Sequence, residues 1–170
     1  PAITEIDLAM MDRALDLARR AAEIGEVPVG AVVYRTVDGR ILGEGFNRRE
    51  LAKDPAGHAE FCAIREAAFL QGDWRLSECS LAVTLEPCVM CAGLIVNARV
   101  GRLLYGAPDP KAGGVTSLFQ LTTDPRLNHR VTPVPGVMAD ESSALLKQFF
   151  QNLRKPTHSP QPPIADTPRS

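Results

Sequence analysis

The most restrictive feature of this 170-residue chain is a pair of cysteines three positions apart, in Leu85-Glu86-Pro87-Cys88-Val89-Met90-Cys91. The run at 80–86, Ser-Leu-Ala-Val-Thr-Leu-Glu, has the length and apolar, β-branched content of a buried strand. The run at 87–98 reads as a helix with proline at its first position, where a missing N–H costs nothing. Both thiols therefore stand at a strand-to-helix junction. On a helix, i and i+3 share one face, and the positive end of the helix dipole favours thiolate, the form that binds metal. Such a pair can be a redox couple, part of a structural zinc site, part of a catalytic zinc site, or packing.

Helices and strands alternate around this junction. Leu8, Met11, Leu15, Ala18 and Ala22 recur at three- and four-residue steps behind a Thr4/Asp7 capping box, which predicts an amphipathic helix over 4–24. A β-branched run, a turn at Asp38-Gly39 and a second short run predict a hairpin over 29–45, followed by a polar loop at 47–57. Good helix formers occupy 58–70, ahead of a glycine that can end the helix. Strand character returns at 100–107, a Gly- and Pro-rich loop follows at 108–114, and a last short extended run lies at 130–135. A final amphipathic helix over about 140–153 is expected to bury Leu145, Leu146, Phe149, Phe150 and Leu153. Trp74 reads as core and Cys79 as packing. This order predicts an α/β sheet layered between helices, with antiparallel character from the hairpin. Residues 155–170 carry five of the 14 prolines and few apolar anchors, so one domain is expected over 1–154 and a disordered tail beyond it.

Composition narrows the chemistry. With 19 Lys plus Arg against 20 Asp plus Glu, the net charge is −1, and any polyanion must be met by local clustering of positive charge. The longest apolar stretch, 88–96, is far short of the ~18 residues a bilayer span needs. The N-terminal stretch lacks a basic region followed by an apolar one, so a cytoplasmic, reducing compartment and no membrane partner are expected. There, Cys62, Cys79, Cys88 and Cys91 favour metal or thiol chemistry over disulfides.

Two thiolates need further ligands, and histidine is the commonest companion. His158 falls in the tail and His129 stands beside Arg130, whereas His58 opens a second predicted helix in Gly57-His58-Ala59-Glu60. Residues i and i+2 diverge on a regular helix, so His58 and Glu60 converge only if the site lies over the helix end. In that arrangement His58, Cys88 and Cys91 bind zinc, water takes the fourth position, and Glu60 stands beside it. Cys62, four residues after His58, allows a rival closed Cys₃His structural site and with it a non-catalytic zinc-stapled binding module. A thiol–disulfide role leaves the His-Ala-Glu segment without a purpose.

His-Ala-Glu followed by Pro-Cys-Val-Met-Cys resembles the zinc-dependent nucleobase deaminase superfamily. Further segments, Glu-Val-Pro-Val-Gly-Ala-Val, Gly-Glu-Gly-Phe-Asn, Gly-Ala-Pro-Asp-Pro-Lys-Ala-Gly-Gly, Leu-Asn-His-Arg-Val and Leu-Leu-Lys-Gln-Phe-Phe, are similar to the bacterial tRNA wobble-position adenosine deaminases from the first helix to about Leu153. The resemblance implies a three-layer α/β/α fold with a central mixed five-stranded sheet. It implies a zinc-dependent hydrolase, one Zn²⁺ per subunit and no small-molecule organic cofactor, acting on adenosine in a tRNA anticodon stem-loop, with Glu60 as the catalytic acid and base. It also implies a homodimer whose grooves are built by both subunits. Substrate contacts carried over are Asn47 to the target nucleoside and Asp109, Lys111, Asn128, His129, Arg130, Phe149 and Phe150 to RNA. Lys147, Arg154 and Lys155 complete the expected basic groove. The zinc motifs alone are shared with deaminases of free guanine, cytosine or cytidine, which stay open as alternatives. The chain departs from the family pattern at Gly57, where alanine is typical, at Pro108 and Pro110, which enclose Asp109, and at Gln151, where arginine is common.

Overall fold

The computed structural model describes residues 2–154; the expectations for 155–170, including Lys155 and the disordered tail, lie outside the described residues. Helix α1 (Glu5–Glu23) starts at a reciprocal cap: the Asp7 N–H donates to Thr4 Oγ1 at 3.1 Å, and the Thr4 N–H donates to Asp7 Oδ2 at 2.8 Å. It buries Met11, Ala14, Leu15, Leu17, Ala18 and Ala21 and leaves Leu8 exposed. Strands β1 (Gly30–Arg35) and β2 (Ile41–Phe46) form the expected hairpin. Then come a short α2 (Arg49–Ala52) within the polar loop, α3 (Ala59–Gln71), β3 (Cys79–Leu85), α4 (Val89–Asn97) and β4 (Arg102–Ala107). A 3₁₀ turn (Leu121–Thr123), β5 (Pro133–Val134) and α5 (Ala139–Arg154) complete the order.

The sheet runs β2-β1-β3-β4-β5. Strand β1 is antiparallel to both neighbours, while β3, β4 and β5 are parallel, giving the expected mixed five-stranded sheet between two helical layers. Alternation along the strands divides the core in two. Val32, Tyr34, Ala82 and Leu104 point to α1 and α5. Ala31, Val33, Leu81, Val83, Leu103 and Tyr105 point to α3 and α4. Parallel β3 and β4 both end on the same edge, so the segments after them, Glu86 to Cys88 and Pro108 to Gly114, meet there.

Three expectations are corrected. In α5 only Ser142 is fully buried, and Phe150 and Leu153 are exposed. Periodicity reveals an apolar stripe but not what covers it; Leu145, Phe149 and Leu153 line an open groove beside Arg19 and Glu23 of α1. Trp74 is half exposed rather than core, its ring stacked with the Arg75 and Arg99 guanidiniums at 4.1 and 5.7 Å, a cation–π arrangement that suits an aromatic ring on a surface turn. Pro87 is not the first helical residue: α4 begins at Val89, with Cys88 as an extended N-cap (φ −69°, ψ 174°). The chain stays extended because it is tied on both sides, the Glu86 N–H donating to the Ala107 carbonyl and the Gly114 N–H to the Pro87 carbonyl, each at 2.8 Å.

Candidate metal centre and active site

The His-Ala-Glu turn is placed by the contact of α3 with β2. Cβ atoms at Gly43 and Gly45 would overlap the Ala63 and Ala59 carbonyls, so glycine there lets helix backbone lie directly on strand backbone. His58 is the N-cap of α3, extended (φ −85°, ψ 150°) and without a side-chain capping bond. Cys88 caps α4 in the same way. Two uncapped helix N-termini thus turn their side chains toward one another.

His58 Nδ1 lies 3.7 Å from Cys88 Sγ and 3.5 Å from Cys91 Sγ, and all three ligand atoms lie within 4.8 Å of one another. Zn–S and Zn–N bonds of about 2.3 and 2.05 Å at a tetrahedral angle place nitrogen and sulfur about 3.6 Å apart. The donor set therefore fits a tetrahedral zinc ion, for which it could supply three ligands. Among the described residues Cys62 is outside this group. Its Cβ lies against the backbone of Gly45 on β2, where α3 packs on the strand. The third sulfur of a closed structural site is missing.

Without a metal, hydrogen bonds tie the three groups to one another. The Cys88 thiol is pushed down to about 4, chiefly by a hydrogen bond from the Cys91 thiol and, against burial, by His58. Its Cys91 partner is pushed up as the donor, and His58 is raised by its hydrogen bond to Cys88. Because His58 sits outside the helix, Glu60 in the first turn can share its site despite the i, i+2 spacing. Glu60 is 4% exposed, and burial holds its carboxyl above the usual carboxylate range.

A cavity of about 170 Å³ opens over these residues. Asn47, Glu60, His58, Cys88 and Asp109 contribute to its wall. The Asn47 amide donates to the Val27 carbonyl at 3.4 Å, and its Oδ1, buried and without a partner among the described residues, remains as an acceptor. The sequence reading missed two charged wall residues. Glu86, 2% exposed, accepts at Oε1 from the N–H groups of Val115, Thr116 and Ser117 and at Oε2 from the Asp109 N–H and the Ser117 hydroxyl. A carboxylate at the end of a buried strand was its signal, since such a group needs partners. Arg49 also lines the cavity; it lies between Asn47 and His58 in sequence, which was the only pointer.

Other expected contacts stand apart from this cavity. Lys111 is exposed on the rim loop, where its N–H donates to Asp109 Oδ1 at 3.0 Å. Asn128 lies in a depression behind α4 with Asn97 and Arg99. His129 Nε2 is 2.8 Å from the Val100 carbonyl. Arg130 lines a cleft with Ser77, Glu78 and Gly101 at the starts of β3 and β4, the pole opposite the cavity. Phe149 and Phe150 form an edge-to-face pair with centroids 5.4 Å apart on α5.

Comparison with known proteins agrees with this geometry. The family model of the cytidine and deoxycytidylate deaminase zinc-binding region matches residues 4–107. A tRNA-specific adenosine deaminase of Haemophilus influenzae is 44% identical over 153 residues, 89% of this chain and 87% of that protein. One from Streptococcus pyogenes serotype M1 is 43% identical over 145 residues, 85% of this chain and 84% of that protein. A solved structure from biochemical and structural studies of A-to-I editing by tRNA:A34 deaminases at the wobble position of transfer RNA is 42% identical, with a TM-score of 0.76 over 81% of this chain and 99% of that one.

Proposed function

The chain belongs to the zinc-binding cytidine and deoxycytidylate deaminase family and, within it, to the tRNA-specific adenosine deaminases, and on that premise we propose that it hydrolyses the wobble adenosine of a tRNA anticodon loop to inosine and ammonia. The observation that carries the reading is the meeting of His58 Nδ1 and the Cys88 and Cys91 sulfurs beside a buried carboxylate, Glu60, in one cavity. When bound by these three ligands, zinc supplies a Lewis acid that lowers the pKa of a water to about 7.

The chain's own residues do the rest. Water oxygen bonds to adenine C6 while Glu60 accepts one of the water's protons and passes it to ring N1. Glu60 then takes the second proton from the oxygen now on C6 and gives it to the amino nitrogen, so that the C6–N6 bond breaks, C6=O forms and ammonia leaves. The buried setting of Glu60 favours its holding a proton between these transfers. Asn47 Oδ1 takes a donor of the target nucleoside. A single-stranded loop makes extruding the base cheap.

The RNA surface is proposed to start at Asp109 and Lys111 on the rim; family resemblance also speaks for Asn128, His129, Phe149 and Phe150, whereas Arg130, at the opposite pole, is not assigned to it. A homodimer is proposed as the working form. In its support, Val89 and Met90 of α4 and Leu118, Phe119 and Leu127 of the segment after β4 are exposed apolar side chains, of the kind partners cover. A cytoplasmic location follows from a tRNA substrate. Among the described residues no helix is long and apolar enough to cross a membrane.

The test is to incubate zinc-loaded protein separately with an anticodon stem-loop carrying a wobble adenosine, with adenosine, with guanine and with cytidine, and to identify products by mass alongside released ammonia. Inosine from the stem-loop is expected. Turnover confined to a free base or nucleoside would overturn the assignment.

A further inference from the structure

Arg49 is the one guanidinium or ammonium among the residues that line the catalytic cavity, whose wall also includes the carboxylates of Glu60, Glu86 and Asp109. Two of those carboxylates are committed to the protein itself: Glu86 to the 109–117 loop, and Asp109 to the N–H groups of Lys111 and Ala112. Arg49 is not committed in this way. Among the described residues its ion pair is with its neighbour Glu50, through one nitrogen at 3.2 Å, with both side chains exposed. An exposed pair of this kind contributes little, and it leaves the rest of the guanidinium fork open.

The main chain of this exposed side chain is nevertheless held firmly. Buried Glu26 accepts from the Leu51 N–H at 2.6 Å, the Arg49 carbonyl accepts from the Asp54 N–H at 3.1 Å, and the Arg48 N–H donates to the Gly57 carbonyl at 2.9 Å. A Cβ at residue 57 would stand 3.1 Å from both Arg49 N and Arg49 Cα and 3.0 Å from the Asp54 carbonyl oxygen, closer than ordinary contact. Glycine at 57 therefore lets the α2 turn close on the segment that leads into His58.

We propose that Arg49 binds a phosphodiester adjoining the target nucleotide, at a position on the cavity rim that the close approach at Gly57 sets. The proposal rests on the anticodon-loop reading above. A base that enters the cavity leaves its phosphates at the mouth, where the remaining charged wall repels them. A guanidinium fork matches two phosphate oxygens at once.

The experiment is steady-state kinetics of zinc-loaded wild type, Arg49→Gln, Arg49→Lys, Gly57→Ala and the Arg49→Gln/Gly57→Ala double variant on an anticodon stem-loop, over a range of salt. Arg49→Gln is expected to raise KM about tenfold, the effect of losing one charged hydrogen-bonded contact, with kcat held within about twofold. The slope of log KM against log salt is expected to fall by about 0.7, one phosphate contact on a single strand. Arg49→Lys keeps the charge without the fork, so the slope recovers and KM recovers in part. Gly57→Ala raises KM by less, and adds nothing in the Arg49→Gln background. An unchanged KM, or a raised KM with an unchanged salt slope, would overturn the role of Arg49. Full additivity of the two substitutions would overturn the role of Gly57. If wild type makes no inosine from the stem-loop, the functional reading fails and this proposal falls with it.

Discussion

Replacing Glu86 by glutamine keeps the side chain's shape and removes its charge. Oε1 now accepts from Thr116 and Ser117 N–H at 2.8 Å each and from Val115 N–H at 3.3 Å; Oε2 accepts from Asp109 N–H at 2.9 Å and from the Ser117 hydroxyl. A glutamine oxygen can serve the first group, and its NH₂ can donate to the Ser117 hydroxyl, but the Asp109 N–H then faces that NH₂ and has no acceptor. Hydrogen bonds to charged groups contribute about 1.5–3 kcal/mol against about 0.5–1.5 for neutral ones, and a buried unsatisfied donor costs about 1–3 kcal/mol. The bonds share one acceptor and do not add fully, so the net loss is about 3 kcal/mol. For a domain of this size that lowers Tm by about 6–12 °C. Urea melts at fixed free zinc, with zinc counted per chain, read this out. A loss below about 1 kcal/mol, or zinc lost along with stability, would refute the assignment of Glu86 to the loop rather than the metal.

Glu60→Ala is expected to lower kcat/KM by about 10²–10⁴-fold while one zinc per chain remains; metal analysis showing zinc loss would make Glu60 a ligand. Cys62→Ala is expected to retain zinc and activity at a cost of about 1 kcal/mol in urea melts, and metal loss would revive the closed site. Asp7, 1% exposed, has its carboxyl held below the usual range: burial raises it, but hydrogen bonds from the Tyr34 hydroxyl and Thr4, together with Arg102, outweigh this. Its stabilising contribution is therefore complete above the unfolded carboxylate pKa of about 3.9 and is lost as pH falls through the lower folded value. Asp7→Asn should be less stable than wild type at neutral pH, the gap closing below about pH 4; a gap constant with pH would contradict this. Phe119→Asp, at an exposed apolar side chain, is expected to shift sedimentation toward monomer, and an unmoved profile would place the dimer contact elsewhere.

Local rules made much of the fold readable. Thr4 and Asp7 specify a helix start through bonds three residues apart, and strand periodicity assigns Val32, Tyr34, Leu81 and Val83 to opposite faces whatever lies on them. The grouping of His58, Cys88 and Cys91 was readable for a different reason: few residue types ligate zinc, and only one of the three histidines stood at a helix start with a carboxylate nearby. Depth was not readable. The same amphipathic period that buries one face of α1 leaves Leu153 of α5 65% exposed, because an apolar stripe does not say whether a neighbour covers it. Trp74 failed for the complementary reason, two arginines giving it a surface place that hydrophobicity does not foresee.

By itself, then, the sequence determined which residues could do chemistry and which segments could be helix or strand, because side-chain donor type and short-range periodicity are local properties. Only the tertiary structure decided which of those residues meet. Parallel β3 and β4 bring residues 86–88 and 108–114 to one edge, and glycine-lined strand surface lets α3 deliver His58 and Glu60 to the same edge. Arg130, equally plausible in sequence, goes to the other pole. Distance in space depends on strand order and on how closely backbones can approach, and neither is written in any single segment.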